Sequence, residues 1–277
     1  MTEATTVRLD KLHDFDAGRL VPDQQHRLDV VTDHCTIPLL VVPRSGAERL
    51  VVLNNGAVDQ ERAGGAPVFQ RSSWSEEIRH HQIYVYDPAT GAPDFLSLGW
   101  GQVSSETWAA FPIGRAVRIL AERLGVTAPQ DRTYFGSSAG GFMALALLAD
   151  DPGARAVVNN AQFDWTRWMA TGVNPLRQAR YNNMLPVHLR ARHPLRTNVL
   201  HLFIKRHHPL RIDYHVNSSS EHDHQVDRPM LEDFIRSHSS LTLGVRILPY
   251  ENPEAGHNPL PKEQTLRILH SRSAVDR

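Results

Sequence analysis

Apolar residues along this chain fall into short continuous runs, separated by polar, glycine- or proline-bearing breaks, a pattern that predicts alternating strands and helices. Runs at 26–32, 35–42 and 50–53 read as three successive strands, broken by Asp33-His34 and by the turn Pro43-Arg44-Ser45-Gly46. Residues 1–25 are polar and mixed in charge, which predicts an irregular lead-in. Leu50-Val51-Val52-Leu53 is apolar at every position, the pattern of a strand buried on both faces. Asn54-Asn55-Gly56-Ala57 follows at once, a loop at the carboxyl end of a central strand, where ligands bind in open α/β sheets.

Residues 83–86 give the next buried strand, and 92–108 read as a loop rich in aromatic and small residues. Ala116, Ile119, Leu120 and Leu124 recur at helical spacing over 114–124, and Gly125 stops that helix. A strand at 132–135, an apolar helix at 141–148 and a strand at 156–161 then establish β-helix-β alternation. The stretch 163–196 is irregular and basic, and carries Trp165, Trp168 and Met169; it reads equally as a cap or lid and as helices covering the sheet edge. A helix or, as the alternative, a strand at 198–205, a strand at 212–216, a helix at 229–237 opened by Pro229, a last strand at 244–249 and a helix from about Lys262 complete the chain. Residues 26–277 are expected to form one α/β domain.

Composition narrows the function classes. Thirty acidic and thirty basic residues in 277 cancel to a net charge of zero, which argues against a nucleic-acid partner. The apolar runs are too short to span a bilayer. One cysteine, Cys35, rules out an internal disulfide framework, and the start Met1-Thr2-Glu3-Ala4-Thr5-Thr6 has no basic-then-apolar leader pattern, so a cytoplasmic location is expected. Sixteen histidines raise the question of a metal, yet none follows H-E-x-x-H spacing. His222 and His224 would share a face of an extended segment, which leaves a tetrahedral zinc short of ligands; no metal or cofactor is expected.

One motif carries chemistry. Gly136-Ser137-Ser138-Ala139-Gly140 is a G-x-S-x-G sequence set between the strand at 132–135 and the helix at 141–148. A serine at the tip of a tight strand-to-helix turn holds a strained backbone, which small neighbours at both second positions accommodate; Ser138 is the candidate nucleophile. Since a serine hydroxyl is weakly nucleophilic, it needs a base, and the base a carboxylate to orient it.

With these residues and with Gly256-His257 after the last strand, the chain resembles the α/β-hydrolase superfamily over 26–269. The resemblance implies a mostly parallel sheet with antiparallel strands at its amino-terminal side, helices on both faces, and a triad in the order nucleophile, acid, histidine. His257 is then the base. The acid is Asp223, the commoner residue type in the family, or Glu221, with Asp227 a third choice. The oxyanion donors would be Ala139 and the loop after the third strand, Ala57 foremost, with the side chains of Asn54 and Asn55 as alternatives. Trp100, Trp108, Trp165 and Trp168 are candidates for lining an acyl- or sugar-binding pocket, Trp100 and Trp165 foremost. The segment around 134–141 and that from Asp87-Pro88 to Trp100 are also similar to bacterial hydrolases linked to polysaccharide or glycoprotein acetylation. The expected activity is hydrolysis of a small-molecule ester or acylated carbohydrate, the alternatives being acyl transfer by the same residues and a non-catalytic binding protein of this fold.

Overall fold

The computed structural model describes residues 4–271. Its sheet runs β1 (Thr5–Arg8), β2 (His26–Val31), β3 (Thr36–Val42), β4 (Leu50–Asn54), β5 (His81–Val85), β6 (Arg132–Ser137), β7 (Arg155–Asn159), β8 (Arg211–Asn217) and β9 (Gly244–Tyr250). The spatial order is β1-β2-β3-β5-β4-β6-β7-β8-β9. From β5 through β9 every pairing is parallel, whereas β2, β3 and β5 pair antiparallel. β4 and β6 at the centre are buried at all their positions, as continuous apolar runs require when both faces are covered.

Helices pack on both faces. On one lie α1 (Ala110–Arg123) and α2 (Ala139–Leu148), whose Leu120, Phe142 and Leu147 join a core with Val52, Tyr134 and Val158. On the other, Leu266 and Leu269 of the carboxyl-terminal helix meet Val51, Phe135 and Val157. Two buried faces explain the continuous apolar runs that the sequence shows in place of alternation.

The lead-in departs from expectation. Thr5–Arg8 is a strand running parallel to β2, and Leu12, Phe15 and Leu20 in the turns after it insert into the core. Spaced three and then five apart in a polar stretch, these residues hold no sustained helical or strand period, so the pattern hides their anchoring role. Residues 163–196 are likewise more regular than expected. They hold α3 (Ala170–Arg180) and α4 (Pro186–Arg192), followed by a single turn and α5 (Leu200–Arg206). The segment after β8, read as a loop, becomes a π-helical turn, Asp223–Asp227, that runs into α6 (Arg228–Ser237). α7 (Lys262–His270) closes the chain's described part.

Candidate active site

Ser138 stands between β6 and α2 at φ 55°, ψ −127°, a conformation that costs any non-glycine residue energy. The turn is held by close approach of backbone to backbone. A Cβ on Gly136 would fall 2.0 Å from the Gly140 carbonyl oxygen, and one on Gly140 would fall 2.6 Å from that of Asn54. Both glycines of the motif are therefore sterically required, and between them Ser138 stays half-buried at the tip of the turn.

His257 reaches Ser138 from the loop after β9. Its Nε2 lies 2.8 Å from Ser138 Oγ, and its Nδ1 lies 2.8 Å and 3.0 Å from the two carboxylate oxygens of Asp223. Asp223 is fully buried, while Glu221 is exposed. Helical geometry accounts for the difference, because residues two apart in a helical turn face opposite ways. Asp227, one helical turn on, accepts from the Phe163 N–H at 3.0 Å and faces His222 Nε2 at 3.4 Å. Burial pushes the Asp227 carboxyl well up and the His222 imidazole down. His222, Asp223 and His224 thus diverge: the first turns to Asp227, the second to His257, and the third is exposed.

A fourth side chain meets the serine. Gln162 Nε2 donates to Ser138 Oγ at 3.1 Å, and its Oε1 accepts the Trp100 indole N–H at 2.7 Å. Since indole can only donate, it fixes which end of the amide faces the serine. With that donor on Oγ, the hydroxyl proton is left to point at His257.

Asparagines hold the histidine loop. Asn160 Nδ2 donates to the carbonyls of His257 and Asn258, and its Oδ1 accepts the Asn217 N–H. Asn217 Nδ2 donates to the carbonyls of Asn252 and Gly256 at 2.7 Å and 2.8 Å, and its Oδ1 accepts from the Asn252 N–H. Asn160 and Asn217 are both fully buried, so these bonds form in a medium where leaving them unmade is costly.

The loop after β4 is laced to residues 68–71. Asn55 donates to the Val68 carbonyl and accepts the Gln70 N–H, Gly56 N–H donates to Gln70 Oε1, and Gln70 Nε2 donates to the Ala57 carbonyl. This corrects one expectation: the Asn55 amide is spent on bracing the loop and does not turn toward the serine. Ala57 is exposed and lines, with Gly56, Gln70, Arg71, Ser138 and His257, a cavity of about 420 Å³. A larger cavity of about 640 Å³, walled by Trp108, Phe111 and His193, contains none of these residues.

Trp100 and Trp165 are a second correction. Both are fully buried and stack on one another at 5.4 Å, so neither reaches a pocket wall. Of the four tryptophan candidates, Trp168 is the one against the triad histidine candidate, 4.4 Å from the His257 ring and 4.8 Å from that of His222.

No protein-family model matches the chain, and no curated protein matches it by sequence. Solved structures match it in architecture. The capsule O-acetyltransferase of Neisseria meningitidis serogroup A, solved with caged gadolinium, aligns at TM-score 0.63 and 12% identity over 88% of this chain and 94% of that one. The fold is that of the α/β-hydrolases. Acetyl xylan esterase from Paenibacillus sp. R4 aligns at TM-score 0.56 and 16% identity, over 94% and 98% of the two chains. The Pyrococcus furiosus esterase Pf2001 aligns at 0.57 and 13%, over 92% and 93%. At these identities the likeness establishes architecture alone, and the chemistry must come from the side chains.

Gln162, Arg71, Asn160 and Asn217 escape sequence reasoning. One signal was available for the asparagines: β4, β7 and β8 each end in Asn, at 54, 159 and 217, at the edge where the site lies.

Proposed function

We propose that this chain is a serine hydrolase that cleaves carboxylic esters of small molecules or acylated sugars through an acyl-enzyme on Ser138. The observation that carries the reading is the continuous relay from Ser138 Oγ through His257 to Asp223, with both links at 2.8 Å. His257 Nε2 takes the hydroxyl proton as Oγ bonds to the ester carbonyl carbon. Asp223 accepts the Nδ1–H, fixes the tautomer and offsets the charge that appears on the imidazole. The carbonyl oxygen, now an alkoxide, lies toward the N–H groups of Ala139 and Ala57; Gly56 N–H is already given to Gln70, which leaves Ala57 as the second donor. Collapse expels the alcohol oxygen, which leaves with the proton from His257. Water then attacks the acyl-enzyme along the same path and releases the carboxylic acid.

Residues 163–196 would act as the cap, because Trp168 from this segment lies against His257. Acyl transfer is the second reading, favoured by the O-acetyltransferase among the structural matches, another of which is a mutant of that enzyme in complex with CoA. It uses the same residues, with an acceptor hydroxyl in place of water.

A fluorophosphonate probe is expected to label wild-type protein at Ser138 and not Ser138→Ala. Ser138→Ala should lose ester turnover by at least about 10³-fold with Tm nearly unchanged, since alanine bears the same backbone strain. Well-folded wild-type protein that resists labelling would return the chain to a non-catalytic binding role.

A further inference from the structure

Among the described residues, Arg71 is the one fixed charge lining the cavity beside Ser138, and no acidic side chain lines that cavity or pairs with the guanidinium. Its Nη2 donates to Ser137 Oγ at 2.8 Å, one residue from the candidate nucleophile. Its Nη1 is shielded from solvent and has no hydrogen-bond partner. The guanidinium carbon lies 5.1 Å from the Phe135 ring centroid and 5.7 Å from that of Trp74, so aromatic faces fix the plane of the group. The backbone of Arg71 itself is left-handed, at φ 68°, and the bonds between residues 55–57 and 68–70 tie it beside the Ala57 loop.

Burial lowers the Arg71 pKa to about 10, which leaves it fully charged at neutral pH. A cation so placed is costly unless something of opposite charge meets it. Among the described residues no such group is present, while the cavity is open to a ligand. Arg71 also has the geometry for the task, since a guanidinium presents parallel donors that match a carboxylate or phosphate.

We infer that the cavity beside Ser138 takes an ester that carries an anionic group, a carboxylate or a phosphate, and that Arg71 is the residue that reads this charge. The inference rests on the hydrolase reading of Ser138 and names the class of its substrate. Arg71 acts here as a specificity determinant, outside the proton relay.

The test compares esters with their neutral counterparts. Mono-p-nitrophenyl succinate carries the charge on the acyl side, 4-acetoxybenzoate on the alcohol side, and 4-acetoxyphenyl phosphate replaces carboxylate by phosphate; each is paired with its neutral methyl-ester or unsubstituted analogue. Wild-type protein should prefer at least one anionic ester by about 10- to 100-fold in kcat/KM, chiefly through KM, and the preference should shrink with added salt. In Arg71→Gln the anionic-to-neutral ratio should fall toward one, and Arg71→Lys should restore part of it. A wild-type ratio near one for all three pairs would overturn the inference, as would an Arg71→Gln variant that slows charged and neutral esters equally, the signature of packing or oxyanion support. If Arg71→Gln fails to fold, the wild-type ratio, its salt dependence and Arg71→Lys still decide. Fluorophosphonate labelling judges Ser138 separately: where labelling fails, the thermal shift of wild-type against Arg71→Lys protein in inorganic phosphate and in succinate decides the anion site, a shift confined to wild type supporting it and equal shifts overturning it.

Discussion

The two halves of the site are built by opposite means. The Ser138 side is local and steric: residues 132–148 make strand, turn and helix in one stretch, and glycines at 136 and 140 allow backbones to approach closer than any side chain permits. The His257 side is remote and polar, a loop with no regular structure that hangs on side-chain hydrogen bonds from Asn160 and Asn217. Excluded volume places Ser138, and hydrogen bonding places His257. Steric placement tolerates almost no substitution but needs no partner, whereas polar placement is tolerant residue by residue and fails when a partner is lost.

Substitutions sharpen this contrast, in descending order of expected effect. Asp223→Asn keeps the shape of the relay but removes its charge, and kcat should fall by about 10⁴-fold, about 5 kcal/mol of barrier, while Glu221→Gln stays within about twofold; steady-state kinetics on a p-nitrophenyl ester reads both. Equal effects would return the acid to the open choice that the sequence leaves. Gly136→Ala should cost about 4 kcal/mol of stability or prevent folding, measured by urea denaturation, because its Cβ meets a carbonyl oxygen at 2.0 Å. A mild effect there would show that the elbow is held by something other than close approach.

Asn217→Ala should cost about 2 to 3 kcal/mol of stability and slow kcat by about 10- to 100-fold, since the loop that carries His257 loses three of its tethers. Loss of stability with kcat intact would mean that the loop is held elsewhere. Gln162→Leu should lower kcat/KM by about 5- to 10-fold, about 1 kcal/mol, as the hydroxyl loses its orienting donor at 3.1 Å. The gentlest perturbation is pH. Arg71 is charged below about 10, so the binding of an anionic ester to Ser138→Ala should be constant through neutral pH and weaken only as pH approaches that value.

The same contrast explains what the sequence discloses. Strand and helix positions follow from apolar periodicity, and Ser138 is readable because glycine spacing is a local signal. His257 is readable only through the resemblance that places it after the last strand. Asp223 against Glu221 is undecidable from a string of residues, since the choice depends on the helical turn at 223–227, and nothing in Ser218-Ser219-Ser220 announces a helix. Trp100 illustrates the opposite error. Its size suggests a pocket wall, but a buried indole with its N–H on Gln162 acts on the serine from behind. Arg71 is invisible because a lone arginine among polar residues carries no pattern; only the lack of a counter-charge around it draws the eye.

The hydrogen bond between Ser138 and His257 joins residues 119 apart in the chain. During synthesis the elbow can therefore take shape while its partner is still unmade, and non-local contacts of this span form late because the intervening loop must first be ordered. On the hydrolase reading proposed above, a nascent chain ending before β9 would hold Ser138 without His257 and could not cleave esters. The two sides of the site are thus joined only once the last parallel strand, β9, and the loop after it have been made.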